Sequence, residues 1–184
     1  MKPGGDGGLL PAILGEYESQ PGAIPVEIAF GARERVAMLR DGRAQVGLMH
    51  SPQDDITGLD AEELLAQHQV VVLSERHPLA QRAAIHLADL HGQTMPRWPG
   101  MPDGNGTGPL VGDISQLIQL ITLGRMVAVV PESVRAHLRS GLVCRLVPDA
   151  PAATIVLVWP RHRRSPHVAE FVRAASAKAH RRIP

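Results

Sequence analysis

The stretch from Asp113 to Ser133 leaves the chain few choices. Ile114, Leu117, Ile118 and Ile121 recur at i, i+3, i+4 and i+7, which lays one apolar stripe along a helix. Asp113 or Ser115 can cap its start, because a short oxygen-bearing side chain accepts a free first-turn N–H. Gly124 stands where a left-handed residue ends a helix. The run Met126, Val127, Ala128, Val129, Val130 is unbroken and apolar, as a strand buried on both faces is. Pro131 ends it, since proline gives nothing to a ladder. A helix start offers N–H donors and a positive dipole end to an anion.

The rest of the chain alternates in the same way. Helices are expected over residues 9–18, 33–40, 132–140 and 167–180, with a short helical piece at 87–90. Strands are expected at 26–28, 44–49, 69–73, 95–98, 143–147 and 154–159, and a short turn or strand at 62–66. Strands alternating with helices argue an α/β fold with mostly parallel sheets. The strand–helix–strand order occurs in both halves. The predicted organisation is therefore a disordered Gly-rich tail over 1–8, one lobe from 9–73 and 152–184, and a second from 74–151. Residues 99–109 hold four glycines and three prolines, which reads as a flexible loop.

Composition removes several function classes. Net charge is +1, so the basic excess of a nucleic-acid-binding domain is missing. Cys144 stands alone, which excludes an internal disulfide and fits a reducing compartment. No apolar run approaches the ~20 residues of a membrane helix, and the first residues lack the apolar core of an export signal. A cytoplasmic protein without membrane contact is the expectation. Nine histidines suggest metal, but His86/His91 and His162/His167 are five apart and do not share a helical face. There is no HExxH, no Cys cluster and no Gly-x-Ser-x-Gly elbow, so no metal, cofactor or catalytic residues are expected. Gly104 to Gly108 has neither the spacing nor the Lys of a phosphate loop.

Five local patterns, in order, resemble one family. They are Leu39-Arg40-Asp41-Gly42-Arg43-Ala44-Gln45-Val46-Gly47-Leu48; Val71-Val72-Leu73 followed by His77-Pro78-Leu79-Ala80; Leu87-Ala88-Asp89-Leu90-His91-Gly92; the segment 120–131; and the strand 155–159. Together they resemble the effector-binding domain of LysR-type transcriptional regulators. The resemblance implies two Rossmann-like lobes of the type 2 periplasmic-binding-protein kind, joined by two crossover strands. It implies a small-molecule inducer, an anion by preference, in a cleft between them. It also implies pairing into a homodimer, through helix 9–18 and strand 26–28. The family usually has Asp where Gln45 stands and a small hydroxyl residue where Ala32 stands. Its first strand should precede Leu9, where this chain is Gly-rich. Its DNA-binding helix-turn-helix would lie ahead of residue 1, so this chain alone is expected not to bind DNA.

Ligands of α/β sheets sit at the carboxyl ends of strands. That rule selects the loop around Gly31, Ala32 and Arg33, the loop His50-Ser51-Pro52, and Pro131. Asp113, Ile114 and Ser115 would face them from a helix start. Arg33 can pair a carboxylate bidentately or be a solvated helix residue. His50 can bond a ligand or lie exposed in its loop. Ser115 can donate to a ligand or serve only as a cap. Trp98 can close over a ligand or pack its own loop. A transporter's solute-binding protein shares such a fold but needs an export signal or a lipid-attachment Cys. A shortened regulator without DNA binding is the other alternative, and an enzyme ranks last.

Overall fold

The computed structural model describes residues 1, 5–31, 34–98, 106–162 and 165–180. Ala32 and Arg33 fall outside them. The chain forms two units: Met1–Ala66 with Thr154–Pro184, and Gln67–Ala153. The boundaries differ from the expected ones because the strand at 69–73 pairs entirely within the second unit.

The first unit holds α1 (Leu10–Glu18), α2 (Arg35–Asp41), β1 (Gly47–Ser51), β2 (Leu59–Gln67), β6 (Ala153–Pro160) and α4 (Pro166–His180). Its sheet has the order β1-β6-β2, with β1 antiparallel to β6 and Leu48 opposite Leu157. The period of two sorts the side chains. Leu48, Ile155 and Leu157 join Ile13, Tyr17, Phe171 and Ala175 of α1 and α4 in one core. Met49, Val156 and Val158 join Leu39 of α2 in another. The Tyr17 and Phe171 rings meet edge to face, 5.3 Å apart. Gly42, at φ 88°, ends α2 in a left-handed conformation that any side chain would strain. Arg35 at the start of α2 is buried and binds Asp54 with both Nη atoms, at 3.0 and 2.6 Å.

The second unit holds β3 (Gln69–Ser74), α3 (Ile114–Thr122), β4 (Ala128–Pro131) and β5 (Leu142–Leu146), with 3-10 turns at Leu87–Leu90 and Glu132–His137. Its sheet order is β4-β3-β5. Val70 and Val72 pack under Leu117, Ile118 and Ile121 of α3. Val71 and Leu73 face Ile85, Leu90 and Val147 on the other side. Gly124 takes φ 64°, as the helix stop requires. Cys144 of β5 is 6% exposed, and burial pushes its thiol pKa up.

Several expectations need correction. The ladders of β1 with β6 and of β3 with β4 and β5 are antiparallel, where mostly parallel pairing was expected. β4 and β5 therefore do run the same way, as their helical link demands, but β3 lies between them. Residues 26–28 form no strand; they lie in a segment without ladder pairing. The strand expected at 44–49 occupies Gly47–Ser51, so His50 and Ser51 belong to the strand and only Pro52 to the loop. The ambiguous 62–66 piece is a nine-residue strand. Residues 95–98 keep one bridge, Arg97 to Leu110. The helix at 132–140 is only a 3-10 turn. Of the glycine-rich loop, Gly108 is no mere spacer: a Cβ there would stand 2.7 Å from the Met95 carbonyl oxygen. Among the first eight residues, the Asp6 carbonyl and carboxylate accept the Leu9 and Leu10 N–H groups, which ties that segment to α1.

Two measurements check this description. Asp54→Ala leaves the Arg35 charge buried without its carboxylate and should cost about 3 kcal/mol in urea unfolding; an unchanged midpoint would contradict the pair's role. Cys144 should resist alkylation at pH 8 in the native protein and react within minutes in guanidinium, since only an exposed thiolate attacks; equal rates would contradict its burial.

Candidate functional site

In the second unit the site grows from the start of α3. Asp113 is the cap: its carboxylate accepts the Gln116 N–H at 2.9 Å. Gln116 returns the favour, its Oε1 accepting the Gly112 N–H at 2.9 Å. The two bonds hold the loop 110–113 rigidly at the helix tip. They also settle the cap between the two candidates, so the Ser115 hydroxyl is left over. Ser115 is exposed on the first turn, with its own N–H and that of Ile114 directed off the helix start. Three donors and the dipole end thus share one small surface, which suits an anion.

Trp98 and Ile114 pack against the same core, the one built on Val70, Val72 and Leu117. Trp98 is half-buried there, so its ring braces the loop that precedes α3. Pro131 ends β4 opposite Gln69. The next two residues clamp the chain where it enters the unit: Glu132 N–H donates to the His68 carbonyl at 2.9 Å, and Ser133 N–H donates to Gln67 Oε1 at 2.9 Å. Gln67 and Gln69 are each 8% exposed. The Gln67 Nε2 and the Gln69 Oε1 have no hydrogen-bond partner among the described residues. A polar atom buried without a partner costs about 1–3 kcal/mol, so the entry to β3 carries a local penalty.

In the first unit, His50 and Ser51 close β1. The His50 N–H donates to Asp54 Oδ2 at 2.8 Å, and the Asp54 N–H donates back to the His50 carbonyl at 2.7 Å. Asp54 also carries Arg35, so one carboxylate fixes both the strand end and the helix α2. The Ser51–Pro52 peptide is cis. Sequence reasoning missed Arg35, Asp54, Gln67 and Gln69. Arg35 has a helical address like any solvated arginine, and Asp54 sits among polar loop residues. The signal for the glutamines was a pair of polar residues just ahead of the apolar run 70–73.

The candidate residues thus fall into two sets. His50 and Ser51 stand on the first unit; Trp98, Asp113, Ile114, Ser115 and Pro131 stand on the second. Ala32 and Arg33 lie outside the described residues. Among the described residues, no group of three or more His, Cys, Asp or Glu side chains could hold a metal ion, and no helix is long and apolar enough to cross a membrane.

Comparison with known proteins adds the family. The BenM effector-binding domain with its effector benzoate matches with TM-score 0.74 and 20% identity, over 93% of this chain and 86% of that one. The oxidized form of OxyR matches with TM-score 0.77 and 19% identity, over 94% and 89%. Full-length BenM matches with TM-score 0.78 and 18% identity; 96% of this chain is covered but only 64% of BenM. These likenesses establish the fold, an α/β architecture of two lobes of the periplasmic-binding-protein kind. A sequence comparison with the curated proteins returns no match. The family model for the LysR substrate binding domain matches residues 5–107 and 106–179, nearly the whole sequence, and the chain therefore belongs to that family.

Proposed function

We propose that the chain is the sensing part of a LysR-type transcriptional regulator and that it binds a small organic anion. The observation that carries the ligand class is the start of α3, where Asp113 is committed to capping and the Ser115 hydroxyl and two backbone N–H groups are left to face solvent. The other proposed ligand contacts divide by unit: Trp98, Ile114 and Pro131 on the second unit with the tip of α3, and His50 and Ser51 on the first. Arg33 and Ala32 join the contact set on the sequence argument alone. Benzoate, the effector named for BenM, is the first carboxylate to test. In this reading the protein has no catalytic task, works in the cytoplasm, and reaches DNA only as part of a longer regulator. The similar structure of the oxidized form of OxyR makes oxidation the rival trigger to weigh. A single buried cysteine with a raised pKa favours the ligand instead.

The proposed homodimer uses α1 and the segment around Val26 and Ile28. Support comes from the segment, where Ile24, Ile28 and Phe30 are exposed apolar side chains, Phe30 at 60%. The apolar face of α1 contributes less, because Ile13 and Tyr17 are already buried in their own unit.

A thermal-shift panel of small carboxylates, benzoate included, tests the ligand. A true effector at 100 times its Kd should add about 2.7 kcal/mol of stability. Ser115→Ala should weaken binding about tenfold, or ~1.4 kcal/mol. A shift identical in Ser115→Ala and His50→Ala would reject the contact set. For the dimer, Phe30→Asp should turn a dimer into a monomer in light scattering at micromolar concentration; a monomeric parent chain would reject the interface.

A further inference from the structure

The carboxylate of Asp54 joins two elements of the first unit. It accepts Arg35 Nη1 at 3.0 Å and Nη2 at 2.6 Å, and the oxygen that takes Nη1 also takes the His50 N–H at 2.8 Å. The Asp54 N–H donates back to the His50 carbonyl at 2.7 Å. Arg35 reaches the strand a second time, its Nη1 donating to Met49 Sδ at 3.3 Å. The side chains of Arg35 and Asp54 are 6% and 12% exposed. The first residue of α2 is thus fastened to the carboxyl end of β1. No side chain caps that helix start, so these bonds act where α2 has no cap of its own.

A buried ion pair is a poor stabiliser. Taking both charges out of water costs about what their attraction returns, and apolar residues of similar volume serve stability as well or better. What the pair does supply is direction. A guanidinium fork meets a carboxylate in one plane, at angles that apolar contacts leave loose. The part so aligned carries two of the proposed ligand contacts. Side chains alternate along β1, which puts Ser51 on the same side as Met49, the side that packs on Leu39 of α2, and His50 on the other. Both are half-buried, so each keeps some surface in reach of solvent.

On the basis of the effector reading, we propose that Arg35 and Asp54 are positioning residues for effector binding: they set how His50 and Ser51 are presented to the ligand. The pair itself touches no ligand in this account. Its two charges cancel, so it acts on an anion through geometry and not through net charge.

The test is the double variant Arg35→Met, Asp54→Leu in the intact chain. It removes both charges, keeps similar volume and leaves net charge unchanged. Its urea midpoint should equal or exceed the parent's. Its dissociation constant for benzoate, or for whichever carboxylate of the thermal-shift panel the parent binds most tightly, should rise about tenfold, because contacts lose their precision when the groups behind them are removed. Arg35→Lys keeps the charge and loses the fork, and it should weaken binding in the same direction. A midpoint lowered in the double variant as far as in Asp54→Ala would make the pair a stabiliser and overturn the proposal. A double variant that binds like the parent, while Ser115→Ala binds more weakly, would overturn the proposal and leave the effector reading standing. A parent chain that binds no carboxylate of the panel would end both.

Discussion

Backbone pairing along both edges of β3 and β6 is the constraint on which the structure depends. Each is the central strand of its three-stranded sheet, and each begins where the chain passes between the units, at residues 66–67 and 153–154. Val70, Val71, Val72 and Leu73 have no exposed surface, and Ile155 to Val158 have almost none. With both edges and both faces occupied, neither strand can slip by one residue without turning an apolar side chain out of its core. The helices then have fixed platforms. α3 lies on Val70 and Val72, and its tip, with Asp113 and Ser115, is positioned by that packing.

The same constraint explains the distribution of polar groups. A strand that ends in a core needs its last polar side chains to find partners. At the entry to β3, Gln67 takes the Ser133 N–H and leaves an amide group over; Gln69 leaves a carbonyl oxygen over. At the end of β1, one carboxylate, Asp54, serves the strand end and Arg35 together. Core packing and polar placement are one design: the apolar runs decide where the chain must stop, and the stops are where hydrogen-bonding groups collect.

What the sequence disclosed was governed by how local the signal was. The helix 114–122 with its cap and its Gly124 stop was legible, because propensity, periodicity and terminators all lie within a dozen residues. So were β3, β6 and α4, whose apolar patterns are strong. Strand direction was not legible, since a βαβ spacing says how β4 relates to β5 and nothing of the crossover strand inserted between them. β2 was obscured because Leu59-Asp60-Ala61-Glu62-Glu63-Leu64 reads as a helix former, and only pairing with β6 makes it extended. Segment 26–28 has strand-forming residues and no ladder, because a strand needs a partner that no local pattern supplies. At the candidate site, the cap at Asp113 was foreseen as one of two; that it leaves Ser115 over depended on a distance, as did the Arg35–Asp54 pair.

The central claim is that the tip of α3 meets an anionic effector. Amide chemical shifts followed during a titration with benzoate or another carboxylate found to bind test it most directly. The account predicts that the Ile114 and Ser115 amides move saturably, downfield as hydrogen bonds form, with one shared dissociation constant. Saturable shifts confined to residues away from 113–116, with those two amides stationary, would contradict it.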